Sequence, residues 1–185
     1  MRFMKLLVLY AALAAGANPA TADTGALMAL AQGDLAKLTI HAEPRAMPDT
    51  TVTDASGGPV TLADYRGKHV LLNFWALWCA PCVKEMPALD RLDGALGGSD
   101  FEVVTITTGR NARPAVDKFF VKKEIKNLPK LFDPKMALMQ AVGGSSLPLT
   151  ILIDPEGREV ARMRGEAEWD SPAALDLIRG WTGGS

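Results

Sequence analysis

Cys79 and Cys82 are the only cysteines in the 185-residue chain, and they lie three residues apart. They follow an apolar run, residues 70–76, that predicts a buried strand, and a helical pattern begins near Pro81. The first turn of a helix leaves backbone N–H groups unpaired, and these groups stabilise a thiolate placed there. We therefore predict a lowered pKa for the Cys79 thiol and a small disulfide with Cys82 that cycles between its oxidised and reduced states.

Other uses of a Cys-x-x-Cys pair agree less well with this sequence. Attachment of a c-type haem requires histidine directly after the second cysteine, where this chain has Val83. A structural zinc site needs about four Cys or His ligands, and beyond the pair the chain offers only His41 and His69. A purely structural disulfide would constrain almost nothing, because the loop that it closes is so short. Redox chemistry is the interpretation that remains, with no metal ligand predicted.

The composition predicts one domain with a substantial core. With 185 residues, 48% of them hydrophobic, the chain has enough apolar side chains for one substantial core but few for two. The net charge of −1 and the lack of a basic run argue against nucleic acid as a partner.

Residues 1–22 have the layout of a secretory signal peptide. Arg2 and Lys5 form a basic head, an apolar stretch follows at residues 6–17, and small residues precede Asp23. The apolar stretch is short for a membrane span, which needs about 20 residues. An uncleaved anchor nevertheless stays open as an alternative, because no charge separates Lys5 from Asp23. Export places the cysteines in an oxidising compartment, where the protein is either an oxidant or a reductant that is kept reduced.

The segment after the signal peptide, residues 23–43, is predicted to be a helical spacer. Its leucines are arranged as in a helix, or in two helices broken at Gly33. Pro44 and Pro48 then mark a linker into the main domain, which we predict to comprise residues 44–185. The spacer is expected to pack loosely on this domain or to stand between it and the membrane.

The pattern of the main domain predicts an α/β fold with a mixed central sheet, helices on both faces and an N-terminal β-hairpin. A second antiparallel strand pair follows at 147–154 and 159–164, and Ser171 and Pro172 are the N-cap and first residue of a final helix. The remaining predicted elements are a hairpin (50–54 and 59–62), strands (70–76 and 101–107) and helices (81–96, 114–124 and 135–142).

These residues resemble a known family. The sequence from Trp78 to Cys82 on a strand-to-helix turn, with residues 147–150 at the start of a later strand, resembles the thioredoxin fold. Residues 73–76, 84–89, 153–157 and 165–169 extend the likeness to the TlpA-type thiol–disulfide interchange proteins, relatives of the ResA and CcmG reductases. The resemblance covers residues 44–181. One departure is Asn73, which stands where thioredoxin has a buried aspartate.

The resemblance implies a bacterial periplasmic reductase that uses the Cys79–Cys82 disulfide and no other cofactor. Its implied partners are disulfides of apocytochrome c or of copper-site assembly proteins, and a membrane electron donor of the DsbD or CcdA kind. We expect a monomer, soluble or tethered by its N-terminal segment. The alternatives are a disulfide oxidase, a copper chaperone resembling Sco, whose Cys-x-x-x-Cys-Pro spacing is absent, and a peroxidase, whose Thr-x-x-Cys motif is absent.

The resemblance also suggests roles for residues around the disulfide. Cys79 is expected to be the exposed nucleophile and Cys82 the resolving thiol. Pro148 matches a cis-proline that leaves the backbone of Leu147 free to pair with an extended substrate, although an ordinary proline at a strand start is the alternative. The predicted substrate-binding residues are Trp78, Pro81, Leu147 and Pro148, with Trp78 acting either as a substrate contact or only as an apolar wall.

Glu85 falls within an apolar stripe when the helix after Pro81 is drawn at about 100° per residue. It lies one turn after Cys82, and burial would raise its pKa unless a positive charge compensates. We therefore predict that Glu85 accepts and donates a proton for Cys82 during exchange. The alternative is that Glu85 reaches the edge of the helix and pairs with a surface lysine or arginine. The stripe consists of Met86, Leu89, Leu92 and Leu96.

Overall fold

The structure is a computed structural model that describes residues 19–183. Residues 1–18, with most of the predicted signal peptide, lie outside this range. Within it, no helix combines the length and the apolar content that crossing a membrane requires.

One eight-stranded mixed sheet organises the fold, in the order β1-β8-β7-β4-β5-β6-β2-β3. Strand β4 is buried along nearly its whole length, as its apolar sequence predicts. It runs parallel to β5 and antiparallel to β7. The strands are β1 (Thr39–Ala46), β2 (Val52–Thr53), β3 (Pro59–Val60), β4 (His69–Trp75), β5 (Phe101–Thr108), β6 (Leu131–Asp133), β7 (Leu149–Ile153) and β8 (Arg158–Arg164).

In the described part of the chain, five α-helices accompany the sheet: α1 (Pro19–Leu30), α2 (Ala80–Leu96), α3 (Arg113–Lys122), α4 (Ala137–Ala141) and α5 (Pro172–Thr182). Successive side chains of β4 point to opposite faces. Leu71 and Trp75 join the core that includes α2, α3 and α5, whereas Leu72 and Phe74 join a second core that includes α4. The predicted mixed sheet with flanking helices is therefore confirmed.

The N-terminal segment differs from the expected loose spacer. Leu27 and Leu35 are buried in the main core, and helix α1 packs against α5. Residues 39–46, which include the predicted linker residue Pro44, form β1 and pair antiparallel with β8. The prediction of a linker at Pro44 was therefore wrong. The physical reason is that the leucines of this segment lie against α5 and the sheet, so their burial stabilises the segment on the domain.

Most other elements agree with the sequence prediction to within a few residues. The hairpin is present as β2 and β3, although each strand has only two residues. Strand β6 was not predicted, and it extends the sheet beside β5 in parallel.

Candidate active site

The turn between β4 and α2 places both cysteines at a helix N-terminus. Cys79 is the N-cap of α2, and its Sγ accepts a hydrogen bond from the backbone N–H of Cys82 at 3.3 Å. The backbone N–H of Val83 donates to the Cys79 carbonyl oxygen at 3.0 Å. Pro81 occupies the first turn, where its missing N–H costs no hydrogen bond. A sulfur at this position faces the positive end of the helix dipole.

Cys79 and Cys82 are joined by a disulfide, with an S–S distance of 2.01 Å and a Cα–Cα distance of 5.3 Å. Cys82 is fully buried, and Cys79 is only 6% exposed. Cys79 is thus less exposed than predicted, because its sulfur is bonded to a buried partner and faces the first turn of α2. It is nevertheless the more accessible of the two sulfur-bearing residues. Trp78 is 63% exposed, and Pro81 is also exposed.

The loop before β7 brings a second predicted element into the site. The Leu147–Pro148 peptide bond is cis. Pro148 is buried, and its carbonyl oxygen accepts a hydrogen bond from the backbone N–H of Gly165 at 3.0 Å. Leu147 is half-buried and packs against the core that contains both cysteines. Leu147 thus packs on the same core as the disulfide, and the roles of Leu147 and Pro148 in substrate binding stay predictions.

Glu85 is buried on α2, one turn after Cys82, and is 3% exposed. Its Oε1 accepts a hydrogen bond from Asn73 Nδ2 at 2.8 Å, and its Oε2 accepts one from the backbone N–H of Ala167 at 3.4 Å. Burial raises the pKa of Glu85 to about 7. The hydrogen bonds from Asn73 and Ala167 lower the pKa and so oppose this rise. The indole N–H of Trp169 acts in the same direction, although it lies outside ordinary hydrogen-bond geometry.

The alternative position for Glu85, at the helix edge beside a basic side chain, is not observed. Among residues 19–183, no lysine or arginine forms an ion pair with Glu85. The neighbouring Lys84 instead extends outward and lies 3.2 Å from Glu166 Oε1. The raised pKa of Glu85 is consistent with a carboxyl group whose close partners are neutral.

Asn73 is a functional candidate whose partners the sequence did not reveal. Besides its bond to Glu85, its Nδ2 donates to Thr150 Oγ1 at 3.1 Å. Thr150 lies opposite Asn73 in the β4–β7 ladder, two residues beyond Pro148. The departure from thioredoxin at position 73 was the available signal, because an amide can hold a carboxyl group that another element supplies. The structure shows that this element is α2.

A surface cleft of about 420 Å³ adjoins Glu85. Glu85 therefore lies beside an open cleft although its side chain is buried, and proton exchange with solvent is easier for an acid in such a position. The cleft is lined by Asp34, Lys37, Lys84, Glu85, Ala88, Arg91, Glu166, Ala167, Glu168 and Asp170.

The arrangement of strand, cysteine pair and helix recurs in known proteins. A family model described as the AhpC/TSA family matches residues 44–161. The chain belongs to the AhpC/TSA family. Among curated proteins, it is 33% identical over 119 residues to the thiol-disulfide oxidoreductase ResA of Bacillus thuringiensis subsp. konkukian, covering 64% of this chain and 68% of ResA. It is 35% identical over 118 residues to ResA of Bacillus subtilis, covering 64% of this chain and 65% of that protein.

Solved structures share the fold of this chain. A DsbF homologue from Corynebacterium diphtheriae superposes with a TM-score of 0.65 at 28% identity, covering 78% of this chain and 90% of the homologue. The exposed lipoprotein thioredoxin of Streptococcus pneumoniae has a TM-score of 0.59 at 30% identity, covering 74% of this chain and 98% of that protein.

These similarities confirm the thioredoxin-like fold and the resemblance to ResA-type proteins that the sequence predicted. With the disulfide at the start of α2, the protein is a thiol–disulfide oxidoreductase. Its substrates therefore include disulfide-containing proteins.

Proposed function

We propose that the protein is a periplasmic protein-disulfide reductase that acts on disulfides of apocytochrome c or of copper-site assembly proteins. The observation that carries this proposal is the Cys79–Cys82 disulfide at the N-terminus of α2 with the buried Glu85 one turn behind it. The predicted signal peptide and the ResA relatives support the compartment and the substrate class.

The reaction is thiol–disulfide exchange in two steps. The Cys79 thiolate attacks one sulfur of the substrate disulfide, forms a mixed disulfide and releases the second substrate sulfur as a thiolate. Cys82 then loses its proton and attacks Cys79 Sγ, which restores the Cys79–Cys82 disulfide and releases the first substrate sulfur. The substrate gains two electrons and two protons, and the protein loses them.

Glu85 is proposed to take the proton from Cys82 in the second step. Cys82 is fully buried, so bulk water does not reach its thiol directly, whereas residues i and i+3 share one helix face and Glu85 borders the open cleft. A carboxyl group with a pKa raised to about 7 can both accept and release a proton near neutral pH. Asn73 holds this carboxyl group in place.

The substrate is proposed to bind where the turn and the loop before β7 meet the surface. Trp78 and Pro81 flank Cys79 and are exposed, and Leu147 and Pro148 supply the backbone that pairs with an extended polypeptide. A membrane protein of the DsbD or CcdA kind is proposed to return the electrons, because a reductant in an oxidising compartment needs a dedicated donor. The protein is proposed to act as a monomer, soluble or tethered by its N-terminal segment.

The reduction potential of the Cys79–Cys82 pair tests the direction of transfer. We expect equilibration against glutathione or thioredoxin to give a potential far below that of DsbA, about −120 mV. Brief alkylation of the reduced protein should label Cys79 and spare Cys82. A potential near that of DsbA would identify an oxidase, and preferential labelling of Cys82 would reverse the assignment of the nucleophile.

The substitution Glu85→Gln tests the proton role. It keeps the shape of the side chain and removes its titration, so we expect disulfide exchange at pH 7 to slow by about 100-fold with little loss of fold. Glu102→Gln is the matched control, because Glu102 pairs with Lys68 near the surface. If Glu85→Gln exchanges at the wild-type rate across the pH range, Glu85 has only a structural role.

A further inference from the structure

The loop after β5 contacts the active-site turn through one side chain. Asn111 Oδ1 accepts a hydrogen bond from the backbone N–H of Leu77 at 2.9 Å. Its Nδ2 donates to the carbonyl oxygen of Thr108 at 2.9 Å. The amide therefore joins the residue before Trp78 to the end of β5. Because an unpaired backbone N–H is costly away from water, this bond fixes the start of the turn.

Gly109 lies next to two apolar side chains, those of Trp78 and Met136. It is buried, and its φ of +73° is a conformation that favours glycine. A Cβ atom at this position would contact Met136 Sδ at 3.7 Å and Trp78 Cζ2 at 3.8 Å. The Trp78 ring and the Met136 side chain, which belong to two different loops, therefore both lie beside Gly109. We call these three residues the Trp78–Gly109–Met136 ledge.

Asp133 holds the far side of this ledge. Its backbone carbonyl oxygen accepts hydrogen bonds from the N–H groups of both Gly109 and Met136, each at 3.0 Å. Its carboxylate accepts bonds from the N–H groups of Ala137 and Met139, at 2.7 and 3.0 Å. The loop of Gly109 and the loop of Met136 are therefore fixed by hydrogen bonds to Asp133. The Trp78 ring beside them remains largely exposed.

We propose that Asn111 is a positioning residue for disulfide exchange with polypeptides: it holds the active-site turn so that the ledge receives an apolar side chain next to the substrate cysteine. Trp78 directly precedes the proposed nucleophile, so any polypeptide joined to Cys79 in the mixed disulfide passes beside the ledge. Met136 is then a specificity-determining contact, since a flexible thioether adapts to different apolar side chains. The inference rests on the proposed function, in which the substrates are protein disulfides.

The test compares a disulfide-containing peptide with apolar flanking residues and a small aromatic disulfide that has no polypeptide part. For Asn111→Ala we expect the second-order rate constant with the peptide to fall by about tenfold, the equivalent of one hydrogen bond. The rate with the small disulfide should stay within about twofold of wild type. Met136→Ala should show the same selective loss. Equal effects on both disulfides would overturn the positioning role.

Matched variants separate the possible failures. Asn127→Ala also removes a side-chain bond to a backbone carbonyl, that of Asp90, and should change neither rate. Asn111→Asp keeps an acceptor for Leu77 but loses the donor to the carbonyl oxygens of Thr108 and Gly109, so it should also lose rate selectively with the peptide, and it tests the proposal even if Asn111→Ala folds poorly. If Trp78→Ala is selective and both Asn111 variants react like wild type, this inference fails alone. If Trp78→Ala leaves peptide exchange unchanged, the proposed substrate surface fails.

Discussion

Two glutamates, Glu85 and Glu159, are each 3% exposed, yet their surroundings move their pKa values in opposite directions. Glu85 is held by the neutral amide of Asn73, and burial raises its pKa to about 7. Burial would also raise the pKa of Glu159, but hydrogen bonds from Arg162 and His41 outweigh it and hold the pKa below the ordinary value. His41 Nε2 lies 2.6 Å from Glu159 Oε1.

The comparison shows that burial alone does not make a carboxyl group suitable for proton transfer. A buried carboxylate with cationic partners stays ionised and connects the elements that supply them. Here Arg162 of β8 is the cationic partner of Glu159, and His41 of β1 forms a hydrogen bond with the same carboxyl group. Glu85, whose hydrogen-bond partners are neutral, has a pKa raised to about 7 and can therefore both hold and release a proton near neutral pH.

The largest effect is expected when Glu159 is replaced, and it is a loss of stability. Glu159→Gln leaves the largely buried Arg162 guanidinium without its counter-charge and removes the hydrogen-bond partner of His41, so we expect the free energy of unfolding at pH 7 to fall by about 4 kcal/mol. Chemical denaturation measures it. Glu102→Gln, which disrupts a partly exposed pair with Lys68, should cost less than about 1 kcal/mol. Similar losses for the two variants would contradict the assignment of Glu159 as a buried ionic junction.

The two glutamates should make the free energy of unfolding depend on pH in opposite directions. The folded protein holds the Glu85 proton more tightly than the unfolded chain, so this stabilisation is complete below pH 4.5 and is lost as pH rises through about 7. The loss amounts to about 3 kcal/mol. The contribution of Glu159 is present above pH 4.5 and is lost as pH falls through its lowered pKa.

Unfolding of the oxidised protein at a series of pH values measures both slopes. Glu85→Gln should remove the decline in the free energy of unfolding between pH 4.5 and 7 and leave the loss of stability at acidic pH unchanged. Glu159→Gln should remove the part of that acidic loss that comes from Glu159. A decline that persists in Glu85→Gln would show that another group titrates there.

Replacing Asn73, the neutral partner of Glu85, should have a smaller effect, on the pH dependence of disulfide exchange. Its hydrogen bond lowers the pKa of Glu85, so Asn73→Ala should move the midpoint of the exchange-rate profile to higher pH by about one pH unit. Thr150→Val is the control, because it removes an acceptor of Asn73 and leaves the Asn73–Glu85 bond in place. If both variants shift the midpoint equally, the amide does not act through Glu85.

The sequence was sufficient for the cysteine turn and for the burial of Glu85. Both depend on local periodicity: the apolar run that becomes β4, the helix that begins at Ala80, and a stripe that places Glu85 among leucines. The partners of Glu85 were beyond such reasoning. Ala167 and Trp169 are more than 80 residues away, and the orientation of the Asn73 amide depends on how α2 crosses the sheet.

Strands β1 and β6 show why parts of the sheet were missed. The sequence of β1 has a proline and alternates poorly, with only His41 fully buried among its eight residues. Strand β6 has three residues, too few to show a period. Strand β1 is extended because it pairs with β8, and β6 because it pairs with β5. The local sequence of each segment was therefore not enough to predict a strand.

Strand β1 covers an edge of the sheet that could otherwise pair with another chain. Without β1 the sheet would end at β8, a seven-residue strand whose free N–H and C=O groups could template pairing with another chain. Strand β1 covers that edge and is itself a poor template, because Pro44 and a break in register between Ile40 and Arg45 interrupt it. The opposite edge, β3, has two residues and begins with Pro59. A variant shortened to begin at residue 47 exposes this edge and the part of the core that α1 covers, so we expect light scattering to detect aggregation before the disulfide chemistry is lost.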